Sequence, residues 1–264
     1  MELLSLKGIG KAYRQGGVFG SKVRFEVLKD INLSIARGSC LGLIGRSGSG
    51  KSTLSRIALC LERPDRGEVR YNGVCVKNMS KKQLRTFRRN CQVVFQNSLG
   101  SVNPRFTAGE VVAEPLKNFE SLDAKRLNDK IDELLMKVGL QPADAEKYPH
   151  QFSGGELQRV CIARAIALNP RLIVLDEAVS SLDMLIQSRI IELLNHLKDT
   201  LGVAYLFISH DIRVLLKMAD ELAVLHDGVI VETVNPVHME ARAYHPVLTG
   251  LVDAVLPSRP AMNN

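Results

Sequence analysis

The sequence predicts an α/β fold built on a parallel sheet, and three observations carry that prediction. First, Cys40 to Ile44, Arg171 to Asp176 and Val203 to Ile208 are short runs with continuous apolar centres. Runs of that kind, without polar alternation, belong to strands covered on both faces. Second, these runs alternate with stretches whose apolar residues recur at helical spacing, the order expected of a parallel sheet with crossover helices. Third, each run ends in polar chemistry, namely a Gly/Ser-rich turn with a lysine, then Asp176-Glu177, then Ser209-His210. Ligands of open α/β sheets collect at the carboxyl ends of the strands.

Ahead of the first buried strand, residues 2 to 9 and 25 to 35 alternate apolar and polar side chains and read as strands of an antiparallel layer. Tyr13 falls in the Gly-rich connection expected between them. Thr53 to Leu61 has helical period. Gly67 to Val76 reads as a further exposed strand with Asn72-Gly73 as its turn. A basic helix from Ser80 to Asn90 and the strand Cys91 to Phe95, ended by Gln96, follow. Thr107-x-x-Glu110 is a capping box, and residues 123 to 138 repeat Leu127, Ile131, Leu134, Leu135 and Val138 before Gly139 stops them. Ser153-x-x-Glu156 opens the next helix. Residues 97 to 168 thus read as a helical subdomain inserted into a single domain of residues 1 to 250. Beyond Asp176 the order is a helix from Met184 to Leu201, a strand, a short helix and two strands at 221 to 226 and 229 to 234. Residues 251 to 264, with Pro257, Pro260 and a terminal Met-Asn-Asn, read as a loosely ordered tail.

The strongest chemical signal is Gly45-Arg46-Ser47-Gly48-Ser49-Gly50-Lys51-Ser52, the spacing G-x-x-x-x-G-K-S between a strand and a helix. Glycines let the backbone curl its N–H groups around an anion, and the following helix aims its positive end at the same place. Lys51 supplies a full charge for the β and γ phosphates, and Ser52 a hydroxyl that a hard magnesium ion accepts. The pattern predicts a purine nucleoside triphosphate site.

Composition narrows the classes. The five cysteines at 40, 60, 75, 91 and 161 are scattered, with no zinc spacing, so reduced thiols in a cytosolic protein are expected. MELLSLKGIGKAYRQ lacks the apolar core of a secretory signal, and no run approaches the roughly 18 apolar residues of a membrane span. The net charge of +7 raises the question of nucleic acid. However, its densest cluster, Lys81, Lys82, Arg85, Arg88 and Arg89, carries no interleaved aromatics of the kind that stack on bases, which predicts a solvated face or a contact near lipid headgroups instead.

The signals also follow one order: the cradle at 45 to 52, Gln96 after a strand, Phe-Ser-Gly-Gly-Glu at 152 to 156, Leu-Asp-Glu at 175 to 177, Ser-Leu-Asp at 181 to 183, and His210. That order, over residues 2 to 250, resembles the ATP-binding cassette (ABC) ATPases. The resemblance implies a P-loop NTPase core with an antiparallel layer and an inserted α-helical subdomain, using ATP and Mg2+. It implies Asp176 as a magnesium ligand together with Ser52 and Gln96, Glu177 as the group that polarises the attacking water, and His210 at the γ phosphate. Two adjacent carboxylates near a cation can divide such tasks. Tyr13 resembles the aromatic that stacks on adenine. Ser153, Gly154 and Gly155 form a second helix N-terminus with bare N–H groups, which in the family closes over the nucleotide of a partner subunit, with Asp183 of the Ser-Leu-Asp motif also assigned to the nucleotide site. Phe152 and Glu156 depart from the usual Leu-Ser-Gly-Gly-Gln.

Members acting on chromosomes carry long coiled coils, and those acting on translation carry two cassettes. Here about a hundred residues part Ser52 from Ser153 without sustained heptads, and the cradle occurs once, so no nucleic-acid partner is expected. The resemblance is closest to the branch importing dipeptides, oligopeptides and nickel, through Phe87-Arg88-Arg89, Val93 to Asn97, Val102-Asn103-Pro104-Arg105 and His245 to Thr249. Asp-Glu-Ala-Val-Ser at 176 to 180, in place of the commoner Asp-Glu-Pro-Thr-Ser, is similar to nickel importers; peptide or metal-chelate import is the alternative. The implied partners are two transmembrane permease subunits, a second homologous ATPase and a periplasmic solute-binding protein. The implied location is the cytoplasmic face of the bacterial inner membrane.

Overall fold

The structure, a computed structural model, describes residues 1–15, 23–238 and 244–253. The chain begins with two long strands, β1 (Glu2–Gln15) and β2 (Val23–Ala36), followed by β3 (Cys40–Ile44) and helix α1 (Lys51–Ala58). Then come β4 (Arg66–Tyr71), β5 (Val74–Cys75), α2 (Lys81–Asn90) and β6 (Cys91–Phe95). Helices α3 (Ala108–Phe119), α4 (Ala124–Lys137) and α5 (Gly154–Ile166) follow, and β7 (Leu172–Asp176), α6 (Met184–Leu201) and β8 (Ala204–Ser209) return to the sheet. The chain continues as α7 (Ile212–Leu216), β9 (Glu221–His226), β10 (Val229–Val234) and α8 (Pro246–Asp253).

The strands form two sheets. An antiparallel sheet has the order β2-β1-β4-β5, and a six-stranded sheet has the order β10-β9-β3-β8-β7-β6. In the second, β6, β7, β8, β3 and β9 run parallel and only the edge strand β10 is antiparallel. Strand alternation divides the core between its two faces. Leu172 and Val174 of β7 point to the cluster that includes Leu4, Ile31, Leu54 and Ile57, while Ile173 and Leu175 point to the helical cluster around Val112, Leu135, Val160 and Ile190. Each fully buried Leu or Ile contributes roughly 1.5 to 3 kcal/mol, which explains why the middle strands are apolar along most of their length.

The capping boxes expected at Thr107 and Ser153 start α3 and α5, and Gly139 and Gly202 adopt positive φ where α4 and α6 end. Two expectations need correction. β1 and β2 extend beyond residues 9 and 25 to Gln15 and Val23, so Tyr13 lies within a strand, opposite Phe25. Bulges between Leu6 and Ala12 shift the register and break the period-two alternation, hiding the continuing ladder from sequence inspection. The expected tail, 251 to 264, is also not loose from its start: residues 251 to 253 are the last turn of α8, whose Leu248 is completely buried against the helical core. The remainder of the expected tail, 254 to 264, lies outside the described residues.

The basic helix α2 is partly accounted for by packing. Arg85 donates to the carbonyl oxygen of Asn118 and lies 4.7 Å over the Phe119 ring. Arg89 pairs with Glu120 at 2.6 Å. Both therefore sit where α3 ends and its carbonyls lack intrahelical partners, a place that favours cations.

Candidate active site

The cradle is shaped by glycines that accept no substitute. A Cβ on Gly45 would lie 2.3 Å from the Leu225 carbonyl oxygen and 2.6 Å from Ser49 Oγ. Gly50 caps α1 at φ 108° and ψ 4°, and a Cβ there would meet Leu28 Cδ2 at 2.8 Å. Both approaches are far inside van der Waals contact, so the loop between them is held close to β2 and β9. Arg46, Ser47 and Gly48 are exposed on its outer side, whereas Ser49 and Lys51 are buried.

The Lys51 ammonium donates to the carbonyl oxygens of Gly45 at 2.8 Å and Arg46 at 3.0 Å, and lies 3.9 Å from Glu177 Oε1. Burial lowers its pKa, while the negative charges of Glu177 and Asp176 act the other way. Asp176 ends β7 beside α1, where Ser55 Oγ donates to its Oδ2 at 2.9 Å. Burial raises its pKa more than that hydrogen bond lowers it. A partly buried carboxylate with one neutral donor is short of positive charge.

Glu177 follows in a left-handed conformation, φ 50°, with its N–H donated to the Ile208 carbonyl oxygen of β8 at 3.0 Å. That conformation is rare for a non-glycine residue. It turns Glu177 Oε2 to within 3.4 Å of His210 Nδ1, at the end of β8. Neither the backbone turn nor the pairing was legible in the sequence.

Gln96, at the end of β6, reaches the same centre indirectly. Its Nε2 donates to Ser180 Oγ at 3.3 Å, and Ser180 Oγ in turn donates to the Glu177 carbonyl oxygen at 2.8 Å. Ser180 joins the candidate site as a link that sequence reasoning missed, because its partner lies 84 positions away.

The residues present fit a magnesium nucleotide. Ser49 Oγ is buried with no hydrogen-bond partner, Lys51 has an ion-pair neighbour only at the edge of contact, and the Ser52 residue is exposed at the start of α1. Among the described residues no cluster of three His, Cys, Asp or Glu side chains is arranged to hold a metal. Magnesium bound jointly by a hydroxyl, one carboxylate and phosphate oxygens requires no such cage.

Tyr13 is tied to the loop that follows α1 rather than free. Its hydroxyl donates to Glu62 Oε1 at 2.7 Å, and Glu62 also pairs with Lys11 at 3.1 Å and with Arg56 of α1 at 3.1 Å. The ring remains partly exposed, at 38%. Phe25, opposite it on β2 and 58% exposed, widens the aromatic surface.

The Ser153 turn stands apart from the cradle and differs from expectation. The Ser153 N–H and hydroxyl both donate to Glu156 Oε2, at 2.8 and 2.7 Å, and the Glu156 N–H is returned to Ser153 Oγ at 3.3 Å. Of the N–H groups of this turn, those of Gly154 and Gly155 are left without a hydrogen-bond partner. The carboxylate of Glu156, its pKa lowered by these bonds from Ser153, has occupied the rest. Gly155 packs against Ile186, where a Cβ would come within 2.5 Å of Ile186 Cγ2. Asp183 caps α6 by accepting from the N–H groups of Leu185 at 3.1 Å and Ile186 at 2.9 Å. The turn and Asp183 therefore share one exposed edge.

Comparison with known proteins agrees with this geometry. Residues 28–180 match the ABC transporter family. The nickel import ATP-binding protein NikE of Rhodospirillum rubrum is 45% identical over 259 residues, covering 98% of this chain and 93% of that protein. NikE of Brucella suis is 44% identical over 260 residues, 98% and 97% of the two chains, and NikE of Escherichia coli K12 is 41% identical over 233 residues, 88% and 87%. Among solved structures, the dimeric structure of MJ0796, a bacterial ABC transporter cassette, superposes with a TM-score of 0.78 at 30% identity, covering 92% of this chain and all of that one. CbiO1 of Clostridium perfringens shares the fold, with a TM-score of 0.76 at 24% identity over 97% of this chain and 96% of that one. With the cradle, the paired carboxylates and the histidine meeting at the strand ends of a cassette fold, the chain belongs to the ABC transporter family.

Proposed function

We propose that this chain is the ATP-hydrolysing motor subunit of a membrane importer for nickel ions. The observation that carries the ATPase reading is the convergence of Lys51, Asp176, Glu177 and His210 at the open end of one parallel sheet. The relatives named nickel import ATP-binding proteins, similar over nearly the whole chain, support the solute.

The residues divide the chemistry as follows. The backbone of Gly45 to Gly50 and the start of α1 hold the phosphates, and Lys51 exchanges the Gly45 and Arg46 carbonyls for phosphate oxygens. Ser52, Asp176 and Gln96 would hold magnesium, which would supply charge neutralisation at the β and γ phosphates. Glu177 accepts the proton of the attacking water at Oε2, and His210, 3.4 Å away, orients that carboxylate and reaches the γ phosphate. Tyr13, held by Glu62, stacks on adenine. The turn Ser153 to Gly155, with Asp183 beside it, closes on the nucleotide of a second, homologous cassette.

The partners in this reading are two permeases, that second ATPase and a periplasmic binding protein, with the chain held peripherally at the cytoplasmic face of the inner membrane. No helix among the described residues is long and apolar enough to cross a membrane. Phe95, which precedes Gln96, and Leu99 and Phe106 in the segment that follows are exposed and would give a permease an apolar surface. Ala178 and Val179, whose identity resembles nickel importers, are almost fully buried, so they mark the lineage without touching the solute.

Replacing the chromosomal gene by the Lys51→Ala form tests the reading. High-affinity nickel uptake and nickel-enzyme activity at trace nickel should be lost and should return with excess nickel. Unchanged nickel accumulation with lost growth on peptides would replace nickel by peptide as the solute.

A further inference from the structure

A cavity of about 700 Å³ opens between the loop after α1, strands β4 and β5, the turn at 76 to 78 and α2, and none of the residues assigned above to cradle, metal or partner lines it. Its floor is aliphatic and thioether. Ile57, Val69 and Val76 are buried there, and Met79 and Leu84 are half-buried. The Cys60 thiol, pushed up to about 11 by burial, is neutral and belongs to the same apolar wall. No aromatic ring lines the cavity, so nothing in it favours a stacked base.

The charges around the mouth are unevenly satisfied. Glu62 is engaged by Tyr13, Lys11 and Arg56; Asp65 accepts from the Ala12 N–H at 2.8 Å; Glu68 pairs with Arg70 at 2.6 Å. Of the cations, Arg66 is paired with Glu26. Arg63, Lys77 and Arg88 are exposed, and among the described residues no hydrogen bond or ion pair engages their charged groups. Arg88 lines the cavity from α2 together with Leu84. Unpaired surface cations are ordinary on their own; three of them around a preformed apolar hollow are a complementary pattern.

The hollow is held open by its own backbone. Lys11 Nζ donates to the Arg63 carbonyl oxygen at 2.8 Å, the Asp65 N–H to Gly10 at 2.9 Å and the Leu61 N–H to Arg56 at 2.8 Å. The wall formed by residues 61 to 65 is therefore tied to β1 and α1.

We infer that this cavity binds a soluble single-chain amphipathic anion, with an aliphatic tail on Ile57, Val69, Val76, Met79 and Leu84 and a phosphate or carboxylate head between Arg63, Lys77 and Arg88. The absence of rings selects an aliphatic tail, the spent acids and idle bases select a negative head, and the volume suits one chain.

Calorimetric titration of the full chain with dodecyl phosphate, below its micelle concentration, tests the assignment. The expected dissociation constant is about 100 µM or tighter, with inorganic phosphate and neutral dodecyl maltoside each at least about tenfold weaker because each offers only half of the match. Arg63→Gln, Lys77→Gln and Arg88→Gln together should weaken dodecyl phosphate at least about tenfold while ATP affinity stays at the wild-type value. No binding of dodecyl phosphate, equal binding of dodecyl maltoside, or undiminished binding by the triple variant would overturn the inference. So would binding to vesicles of anionic phospholipid without binding to soluble dodecyl phosphate, which would make the patch a membrane-facing surface.

Discussion

At the residue scale, two side chains carry opposite kinds of prediction. Tyr13 is held by one hydrogen bond through its hydroxyl and leaves its ring partly open. Tyr13→Ala should remove about 1 to 3 kcal/mol of stacking, or roughly 5- to 150-fold in ATP affinity, while Tyr13→Trp keeps most of it. Equal nucleotide affinity in the alanine and wild-type proteins would return Tyr13 to a structural role. Asp176 concerns protonation. Its folded pKa is raised, with burial as the larger cause, so the neutral form favours the fold. The corresponding stability is present below the ordinary carboxylate pKa and is lost as pH rises through the raised value, leaving a buried anion that costs stability at neutral pH. Asp176→Asn should therefore raise the nucleotide-free stability at pH 7 and abolish magnesium-dependent hydrolysis. The stability gain should shrink as the medium is acidified. Thermal melts at pH 7 and pH 4 check this, and a variant less stable than wild type at pH 7 would contradict it.

At the scale of elements, α2 shows how packing and surface charge differ. Phe87 is 1% exposed and meets Tyr71 edge to face, with ring centroids 5.3 Å apart. Phe87→Ala should cost about 3 to 5 kcal/mol, whereas Arg89→Ala, which removes a partly exposed ion pair to Glu120, should cost about 1 kcal/mol or less. Denaturant unfolding of the two variants measures the contrast, and equal costs would make the pairing to α3, not the buried ring, the anchor of α2. The elements that could be read from the sequence are those whose signal is local. The spacing of Gly45, Gly50 and Lys51, the capping boxes at Thr107 and Ser153, and the apolar strand before Asp176 each lie within a few residues of what they specify. What could not be read depends on long-range geometry: the bulges that carry β1 to Gln15, the reach of Gln96 to Ser180, the left-handed turn at Glu177, and the docking of Leu248 of α8. Glu156 is an intermediate case. Its capping box, with the carboxylate on the Ser153 N–H, was visible, but its hold on the Ser153 hydroxyl required coordinates.

At the scale of the whole molecule, the proposed function gives the chain two separate anion sites, the cradle and the Ser153 turn, and assigns them to the nucleotides of two different subunits. Two cassettes facing each other would join the cradle of each to the Ser153 turn of the other, so that closure requires ATP and reopening follows its hydrolysis. Glu156 adds a step to that closure, because the Ser153 hydroxyl must leave its carboxylate to reach a phosphate. The most direct measurement is light scattering of Glu177→Gln, mixed with its natural partner cassette and magnesium ATP. This variant keeps the shape of the side chain but removes the base, so ATP should persist and hold the two cassettes as a closed dimer. Adding Ser153→Arg should return them to monomers that still bind nucleotide. Monomers alone in the presence of both ATP and the partner would contradict the shared site.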